Sequence, residues 1–168
     1  MRLLRWLGIA ILALAVALGI VVVGARFSDG PLGPIPGGPL LAGQLVSEEP
    51  VDWSFARDAK ELELQLVEPP RSRTTWLVVH DGVLYVPAGY MRSGTKRWPH
   101  EAMRDGRAVL RIGGRLFERQ AVRVTDAQLR DAVVAQLLEK YELPPGEGTG
   151  PDDLWIFRMD PRTAAPPP

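Results

Sequence analysis

The chain has 168 residues, a formal net charge of zero and no cysteine. Without cysteine it cannot form disulfides, use thiolate chemistry, or bind zinc, iron–sulfur clusters or covalent c-type haem through cysteine. The balanced charge gives no basic surface of the kind that nucleic-acid-binding domains carry, so we expect no nucleic-acid partner. About 140 residues follow an apolar N-terminal segment, enough for one domain with its own core.

The apolar N-terminal segment predicts a membrane-spanning helix. Residues 7–23 are apolar apart from Gly8 and Gly19. With the leucines and the tryptophan just before them they make about 20 residues, the length that a helix needs to cross a bilayer. We therefore predict that residues 1–26 form a signal-anchor that attaches the protein to the membrane.

The charges beside this segment predict its orientation. Arg2 and Arg5 precede the apolar run, and only Arg26 follows it closely. The positive-inside rule then places the N-terminus in the cytoplasm and the domain outside, in the periplasm of a Gram-negative cell. A cleaved signal peptide is the alternative, with a cleavage site at Gly24 and Ala25, although the valines before them fit the small-x-small pattern poorly.

Three further segments complete the predicted domain organisation. Residues 27–40 are rich in proline and glycine, which favours a semi-rigid linker over a helix or a central strand. An ordered wrap over the domain is the alternative, since Leu32 and Ile35 offer apolar anchors. We predict a folded domain over residues 41–160 and a tail over residues 161–168 that is disordered from Thr163 onward.

Alternation of apolar and polar residues predicts an antiparallel sheet. The clearest strand spans residues 61–66, where three leucines alternate with Glu61, Glu63 and Gln65. Asp81-Gly82 and Gly113-Gly114 are residue pairs that favour tight hairpin turns. We expect Pro87 to end its strand, because proline has no N–H to donate. The predicted strands are 40–46, 61–66, 75–79 (buried on both faces), 83–86, 107–112, 115–125 and 154–159.

Two helices and one irregularity complete the predicted domain. Residues 98–104 have helical character after Trp98-Pro99, and a capping box at Thr125 begins a helix that runs to about Tyr141. The apolar parity along residues 115–125 slips, which predicts a β-bulge near Gln120. A mainly β, α+β fold follows: a small antiparallel β-barrel with two flanking helices, preceded by one transmembrane helix.

From residue 62 to residue 159 the chain resembles the FMN-binding split barrels, the pyridoxamine 5′-phosphate oxidase-like and deazaflavin-dependent nitroreductase-like proteins. The resemblance rests on the hairpin TWLVVHDGVLYV, the loop TKRW that follows, and the strand AVLRI after Asp105-Gly106-Arg107. It implies a split barrel, a homodimer and a flavin-type cofactor.

The resemblance also implies site residues. Ser/Thr and basic residues of the loop after the hairpin hold the flavin phosphate in that family, and a basic residue on the preceding strand assists. In this chain the matching positions are Arg73 (with Arg71 as the alternative on that strand), Thr75, Trp76, Ser93, Thr95, Lys96 and Arg97. Thr75 and Trp76 match positions that line the isoalloxazine ring. From the residues alone, the loop suits an anion site, and a solvated surface loop is the alternative.

The implied function is a membrane-anchored oxidoreductase that uses FMN or a deazaflavin on an unknown small-molecule substrate, with no catalytic residue assigned. The alternative is a non-enzymatic barrel without cofactor that serves as an envelope interaction or scaffold module. Non-covalent haem on His80 or His100 is a third option. We expect no metal site, because one histidine beside Glu101 gives too few ligands.

Overall fold

A computed structural model describes residues 2–146 and 148–162. Within these residues, three α-helices and eight β-strands follow one another. The α-helices are α1 (Arg2–Ala25), α2 (Trp98–Arg104) and α3 (Ala127–Lys140). The strands are β1 (Gln44–Leu45), β2 (Glu61–Leu66), β3 (Arg71–Trp76), β4 (Val78–His80), β5 (Val83–Ala88), β6 (Arg107–Ile112), β7 (Arg115–Arg123) and β8 (Trp155–Pro161).

The strands form one curled, antiparallel sheet in the order β3-β2-β6-β7-β8-β5-β4, with β1 added in parallel beside β7. The two ends of this order, β3 and β4, are separated in the chain only by Leu77. One extended run therefore pairs with β2 through its first half and with β5 through its second half. This arrangement curls the sheet into the split barrel that the sequence predicts.

Two apolar cores lie on the two faces of the sheet. The inner core holds the leucines of β2 together with Leu110, Phe117 and Phe157. The second core packs α3 through Val133, Val134 and Leu137 against Val78, Tyr85 and Ile156 on the outer face. Where α3 covers the sheet, the side chains on both faces of the strands are therefore buried.

The leucines of β2 are buried as predicted, but Gln65 is not an outward polar residue. It is 8% exposed, and its Oε1 accepts the N–H of Leu40 at 2.6 Å. The segment that precedes the barrel covers this part of the outer face.

That segment, residues 26–42, lies along the barrel, and we call it the strap. Gly37 and Ser72 exchange backbone hydrogen bonds of 2.9 and 3.3 Å, and the Ser72 hydroxyl donates to Gly38 O at 2.6 Å. Asp29 accepts the N–H groups of Leu41 and Ala42 at 2.7 and 3.3 Å. The prolines and glycines of the predicted linker thus follow a defined path on β3.

Charge pairing fixes the strap further. Arg111 Nη1 donates to both carboxylate oxygens of Asp29 at 2.9 Å and its Nε donates to Glu63. Gly30 has a φ of 87°, and a Cβ there would lie 2.2 Å from Arg111 Nη2. A side chain at position 30 would therefore displace the guanidinium that joins the strap to β2 and β6.

The predicted bulge in β7 is wrong. The pairing with β6 and with β8 runs without interruption from Arg115 to Arg123. Phe117, Arg119 and Ala121 all point inward and are buried. The slip in the sequence pattern comes from Arg119, which is 2% exposed, pairs with Glu49 and lies 5.2 Å from the centre of the Trp53 ring.

Several predicted element bounds also differ from the structure. The first strand is limited to Gln44–Leu45. Pro87 lies inside β5, opposite Ile156 of β8 and beyond the last residue that β4 pairs. The N-cap of α3 is Asp126 rather than Thr125, since its carboxylate accepts Leu129 N–H at 2.7 Å.

The chain ends of the domain carry their own contacts. Pro161 belongs to β8, and Arg162 donates to Glu118 at 3.0 Å and to Ala108 O at 2.7 Å. The rest of the predicted tail, residues 163–168, lies outside the described residues. At the other end, residues Leu4–Ala25 of α1 are long and apolar enough to cross a membrane, by length and composition alone.

Between β3 and β4, the backbone of Leu77 is bonded by Lys140, the last residue of α3, and by Tyr141, which follows it. Tyr141 Oη accepts Leu77 N–H at 3.1 Å and donates to Lys60 O. Lys140 Nζ donates to Leu77 O at 3.0 Å. Burial raises the pKa of Tyr141, so its hydroxyl keeps its proton. These side chains replace the strand partners that Leu77 lacks.

Replacing Tyr141 with Phe should lower the free energy of unfolding by about 1–2 kcal/mol, because Leu77 N–H loses its partner where water has little access. Chemical denaturation of the full chain in detergent measures the change. Tyr90→Phe is the matched control: Tyr90 is 73% exposed, so its loss should stay within about 0.5 kcal/mol. Equal effects of the two changes would contradict the role given to Tyr141.

The strap should also respond to acid. Hydrogen bonding from Leu41 N–H, and then from Arg111 and Ala42, lowers the pKa of Asp29 below its usual 3.8. A carboxylate whose pKa is lowered by folding stabilises the fold at a pH above its pKa in the unfolded chain. This contribution is lost progressively as the pH falls below about 4. Asp29→Asn should therefore lower the melting temperature at pH 6 more than at pH 3. Asp152→Asn, whose side chain is 82% exposed, should shift it at neither pH.

Candidate cofactor groove

A groove of about 780 Å³ opens where the barrel splits. Its volume falls within the range of about 300–1,000 Å³ that small-molecule and cofactor sites occupy. It is lined by the end of β3, the end of β5 and the loop after it, the C-terminal part of α3 with the loop that follows, and the strap. The lining residues are Gly33, Pro34, Glu61, Thr74, Thr75, Trp76, Pro87, Gly89, Tyr90, Lys96, Leu137, Leu138, Leu143, Pro144, Gly148, Thr149 and Leu154.

The groove exists because β3 and β4 pair with different neighbours. After Trp76 the chain leaves β2 and joins β5, so a gap opens between β3 and the end of β5. The C-terminal end of α3 covers this gap with Leu137 and Leu138. The walls of the groove are therefore largely apolar.

Trp76 forms one of these walls. Its indole stacks on the Tyr141 ring, with 4.4 Å between ring centres and 14° between planes. The prediction of a strand buried on both faces is wrong at this residue, since Trp76 is 40% exposed. One face of the indole is covered by Tyr141, and the remaining surface is available to a flat ring in the groove.

Lys96 supplies the cationic side chain among the lining residues. It is half-buried, and its Nζ lies 5.7 Å from the centre of the Tyr90 ring. Burial lowers the pKa of Lys96, which means that its ammonium group has lost part of its hydration. A bound anion would restore favourable contacts to this group.

Among the described residues, the lining of the groove also includes hydroxyl groups and the carboxylate of Glu61. Thr74 and Thr75 are half-buried at the end of β3. Glu61 is paired in register with Trp76, so its carboxylate belongs to the Trp76 side of the groove. Glu61 and Lys96 line the groove with opposite charges, so an anionic group of a ligand is favoured at Lys96 and disfavoured at Glu61.

Arg73 lies elsewhere. It is paired with Leu64 of β2, and its guanidinium lies 5.8 Å from the centre of the Trp98 ring of α2. Burial lowers the pKa of Arg73 to about 10, although Glu101 opposes the shift. Its Nε is buried and has no hydrogen-bond partner within residues 2–146 and 148–162.

The remaining predicted loop residues do not line the groove. The Ser93 hydroxyl donates to Tyr90 O at 2.7 Å and lies 2.8 Å from Thr95 Oγ1, so the two hydroxyls satisfy each other on the exposed loop. Arg97 is exposed at the N-cap of α2. Of the seven predicted residues, the structure brings Thr75, Trp76 and Lys96 together.

Sequence reasoning missed the lining residues that come from α3 and its following loop. Leu137 was visible only as part of an apolar helical stripe, which indicates packing and not a site. Tyr90, with a left-handed φ of 61°, stands out in the structure because a non-glycine residue rarely adopts that conformation. No pattern in the sequence links these residues to Trp76.

The two histidines lie outside the groove. His80 Nδ1 is 2.8 Å from Gln136 Oε1 in a small polar hollow lined also by Arg57, Asp81 and Lys140. The exposed His100 ring meets the Trp155 ring edge to face, with 5.0 Å between centres. Among the described residues no group of three or more His, Asp or Glu side chains is arranged to hold a metal ion.

Comparison with known proteins places the fold. No protein-family model matches the chain, and no curated protein matches it. Among solved structures, the conserved hypothetical protein Rv2991 from Mycobacterium tuberculosis aligns with a TM-score of 0.51 and 18% identity, covering 70% of this chain and 82% of that one.

Two further structures are similar at lower scores. HutZ, a heme storage protein from Vibrio cholerae, aligns with a TM-score of 0.47 and 17% identity over 69% of this chain and 91% of that one. An F420 reductase aligns with a TM-score of 0.46 and 13% identity over 70% of this chain and 97% of that one. At such identities structural likeness shows the fold alone, and the chain is a split barrel with a groove at its split.

Proposed function

We propose that this chain binds a flavin-type cofactor, FMN or a deazaflavin, in the groove and acts as an oxidoreductase. The observation that carries the proposal is the composition of the groove: largely apolar walls, an exposed indole and a half-buried lysine at the split of the barrel. A flat aromatic ring system with a phosphate-bearing tail has the matching chemistry. The resemblance in the hairpin and the loop after it supports the same ligand class.

The residues of the groove fit such a cofactor. Trp76, backed by Tyr141, offers a flat apolar surface to the ring, and Leu137 and Leu138 add apolar surface from α3. Lys96 offers its ammonium group to the phosphate, where partial desolvation strengthens a charged contact. Glu61 repels an anion, so the phosphate belongs at the Lys96 side and the ring at the Trp76 side.

A bound flavin would supply the hydride or electron transfer. The residues of this chain bind, orient and shield it. Thr75 lines the groove one residue before Trp76, and the wall from α3 limits the access of water. No histidine is among the described residues that line the groove, and flavin chemistry of this kind does not require a general acid or base from the protein.

The same proposal includes the membrane. Helix α1 anchors the chain as a single-pass protein with the N-terminus in the cytoplasm and the barrel outside. From the family resemblance we also propose that the protein forms a homodimer. Its substrate is a small molecule of unknown identity.

Replacing Lys96 with Ala should weaken FMN binding about tenfold or more, since a hydrogen bond to a charged group contributes about 1.5–3 kcal/mol. The measurement is a titration of the full-length protein in detergent with FMN, followed by the visible spectrum after desalting. Arg92→Ala is the matched control, because Arg92 is a cation of the same loop whose side chain is 72% exposed and does not line the groove.

The wild-type protein should retain a yellow flavin spectrum, and Arg92→Ala should bind as the wild type does. Equal affinity of the Lys96 and Arg92 variants would remove the site assignment. A colourless wild-type protein would overturn the cofactor and favour a barrel that serves as an interaction module. A Soret band on purification would instead indicate haem.

A further inference from the structure

The strap has an unusual composition for a segment on a protein surface. Between Gly24 and Ser47 the only charged residues are Arg26 and Asp29, whereas charged residues make up 24% of the whole chain. Asp29 is neutralised by Arg111. The surface that the strap presents therefore carries little net charge. Such a surface is easier to bury than the charged surface of the rest of the barrel.

Large apolar side chains of the strap are exposed. Phe27 is 86% exposed, Leu41 is 74% exposed and Leu32 is 47% exposed. Single exposed apolar residues are common, but a group of them on one segment with few charges indicates an interaction surface. These residues require an apolar or interfacial partner.

Two of the exposed residues, Phe27 and Leu41, lie on stretches of backbone near the end of α1. The N–H groups of Arg26, Phe27 and Ser28 donate to carbonyls of the last turn of α1 at 3.0–3.2 Å. Leu41 is connected to the same stretch of backbone, because its N–H donates to the carboxylate of Asp29 at 2.7 Å. Phe27 and Leu41 thus belong to neighbouring stretches of backbone.

The backbone of the strap also suits a poorly hydrated surface. Four residues of the strap, Pro31, Pro34, Pro36 and Pro39, have no N–H to satisfy. Leu32 and Ile35 exchange hydrogen bonds of 3.0 and 3.1 Å, and Gly37 pairs with Ser72. A segment whose polar groups are paired or missing loses little when water is removed.

We infer that the strap docks the barrel on the lipid bilayer, with Phe27 and Leu41 inserted at the boundary between headgroups and acyl chains. The inference rests on the anchor that the proposed function includes. Helix α1 has 24 residues and is about 36 Å long, so its end lies among the headgroups of a bilayer with a core of about 30 Å. Phenylalanine and leucine side chains at that depth enter the interface.

Docking has a consequence for the groove. Gly33 and Pro34, in the turn between Leu32 and Ile35, form part of its lining. The barrel is held to the strap by Asp29, Ser72 and Gln65, so it does not swing freely on a linker. One side of the groove therefore lies next to the membrane surface.

Single-cysteine variants test the inference cleanly, because the chain has no cysteine of its own. Phe27→Cys and Leu41→Cys carry a nitroxide label in full-length protein reconstituted into phosphatidylcholine liposomes. Asp81→Cys is the control, at the exposed turn after β4, up to about 30 Å along the strands from Ser72. Power-saturation spectroscopy then compares the accessibility of each label to oxygen and to a water-soluble nickel chelate.

Labels at positions 27 and 41 should show an oxygen-to-nickel accessibility ratio at least threefold above that of the label at position 81. Three equally water-accessible labels would overturn the docking. Labels at 27 and 41 that are shielded from both reagents would also overturn it and indicate a protein partner such as a second copy. Flotation of the liposomes tests the anchor separately from the docking. Protein that does not float with the liposomes would contradict both proposals, whereas protein that floats but carries water-accessible labels would contradict the docking alone.

Discussion

The rest of the structure depends on the hydrogen bond between the Tyr141 hydroxyl and the backbone of Leu77. This bond forms where one run of chain stops pairing with β2 and starts pairing with β5. A strand that changes partners leaves unpaired backbone groups, and these are costly where water does not reach them. The end of α3 satisfies those groups, and it thereby fixes α3 over the gap that becomes the groove.

The same constraint explains why the groove has its particular chemistry. Its apolar wall is the part of α3 next to Tyr141, and its aromatic wall is Trp76, which stacks on the Tyr141 ring. The loop after β5 adds Lys96 to the lining. One tyrosine therefore links the closure of the barrel, the shape of the site and the surface offered to a flat ligand.

The strap adds a second constraint from outside the barrel. Arg111 joins Asp29 of the strap to Glu63 of β2, so the segment after α1 is part of the folded unit. Under the proposed anchor, the barrel and the bilayer would be held in a fixed relation. A groove lined partly by the strap is then suited to ligands that approach along the membrane surface.

Much of the fold could be predicted from period-2 patterns and turn pairs, because a strand with one covered face records that covering in its sequence. The prediction of β2 succeeded for its leucines and failed for Gln65, since the pattern does not reveal a second layer supplied by the strap. The prediction of β7 failed at Arg119, because a buried cation that pairs with Glu49 and lies over Trp53 looks like a surface residue in the sequence. In the site, Thr75, Trp76 and Lys96 lie close together in sequence, whereas the wall from α3 comes from residues about 40 positions further on.

Hydrogen exchange of the full-length protein in detergent, measured by mass spectrometry with and without FMN, tests the central claim most directly. The account predicts slower exchange with FMN in peptides that cover residues 74–77 and 89–96, and unchanged exchange across β6 and β7. Protection confined to the hollow around His80 and Gln136, or no protection at all, would contradict a cofactor site at the split of the barrel.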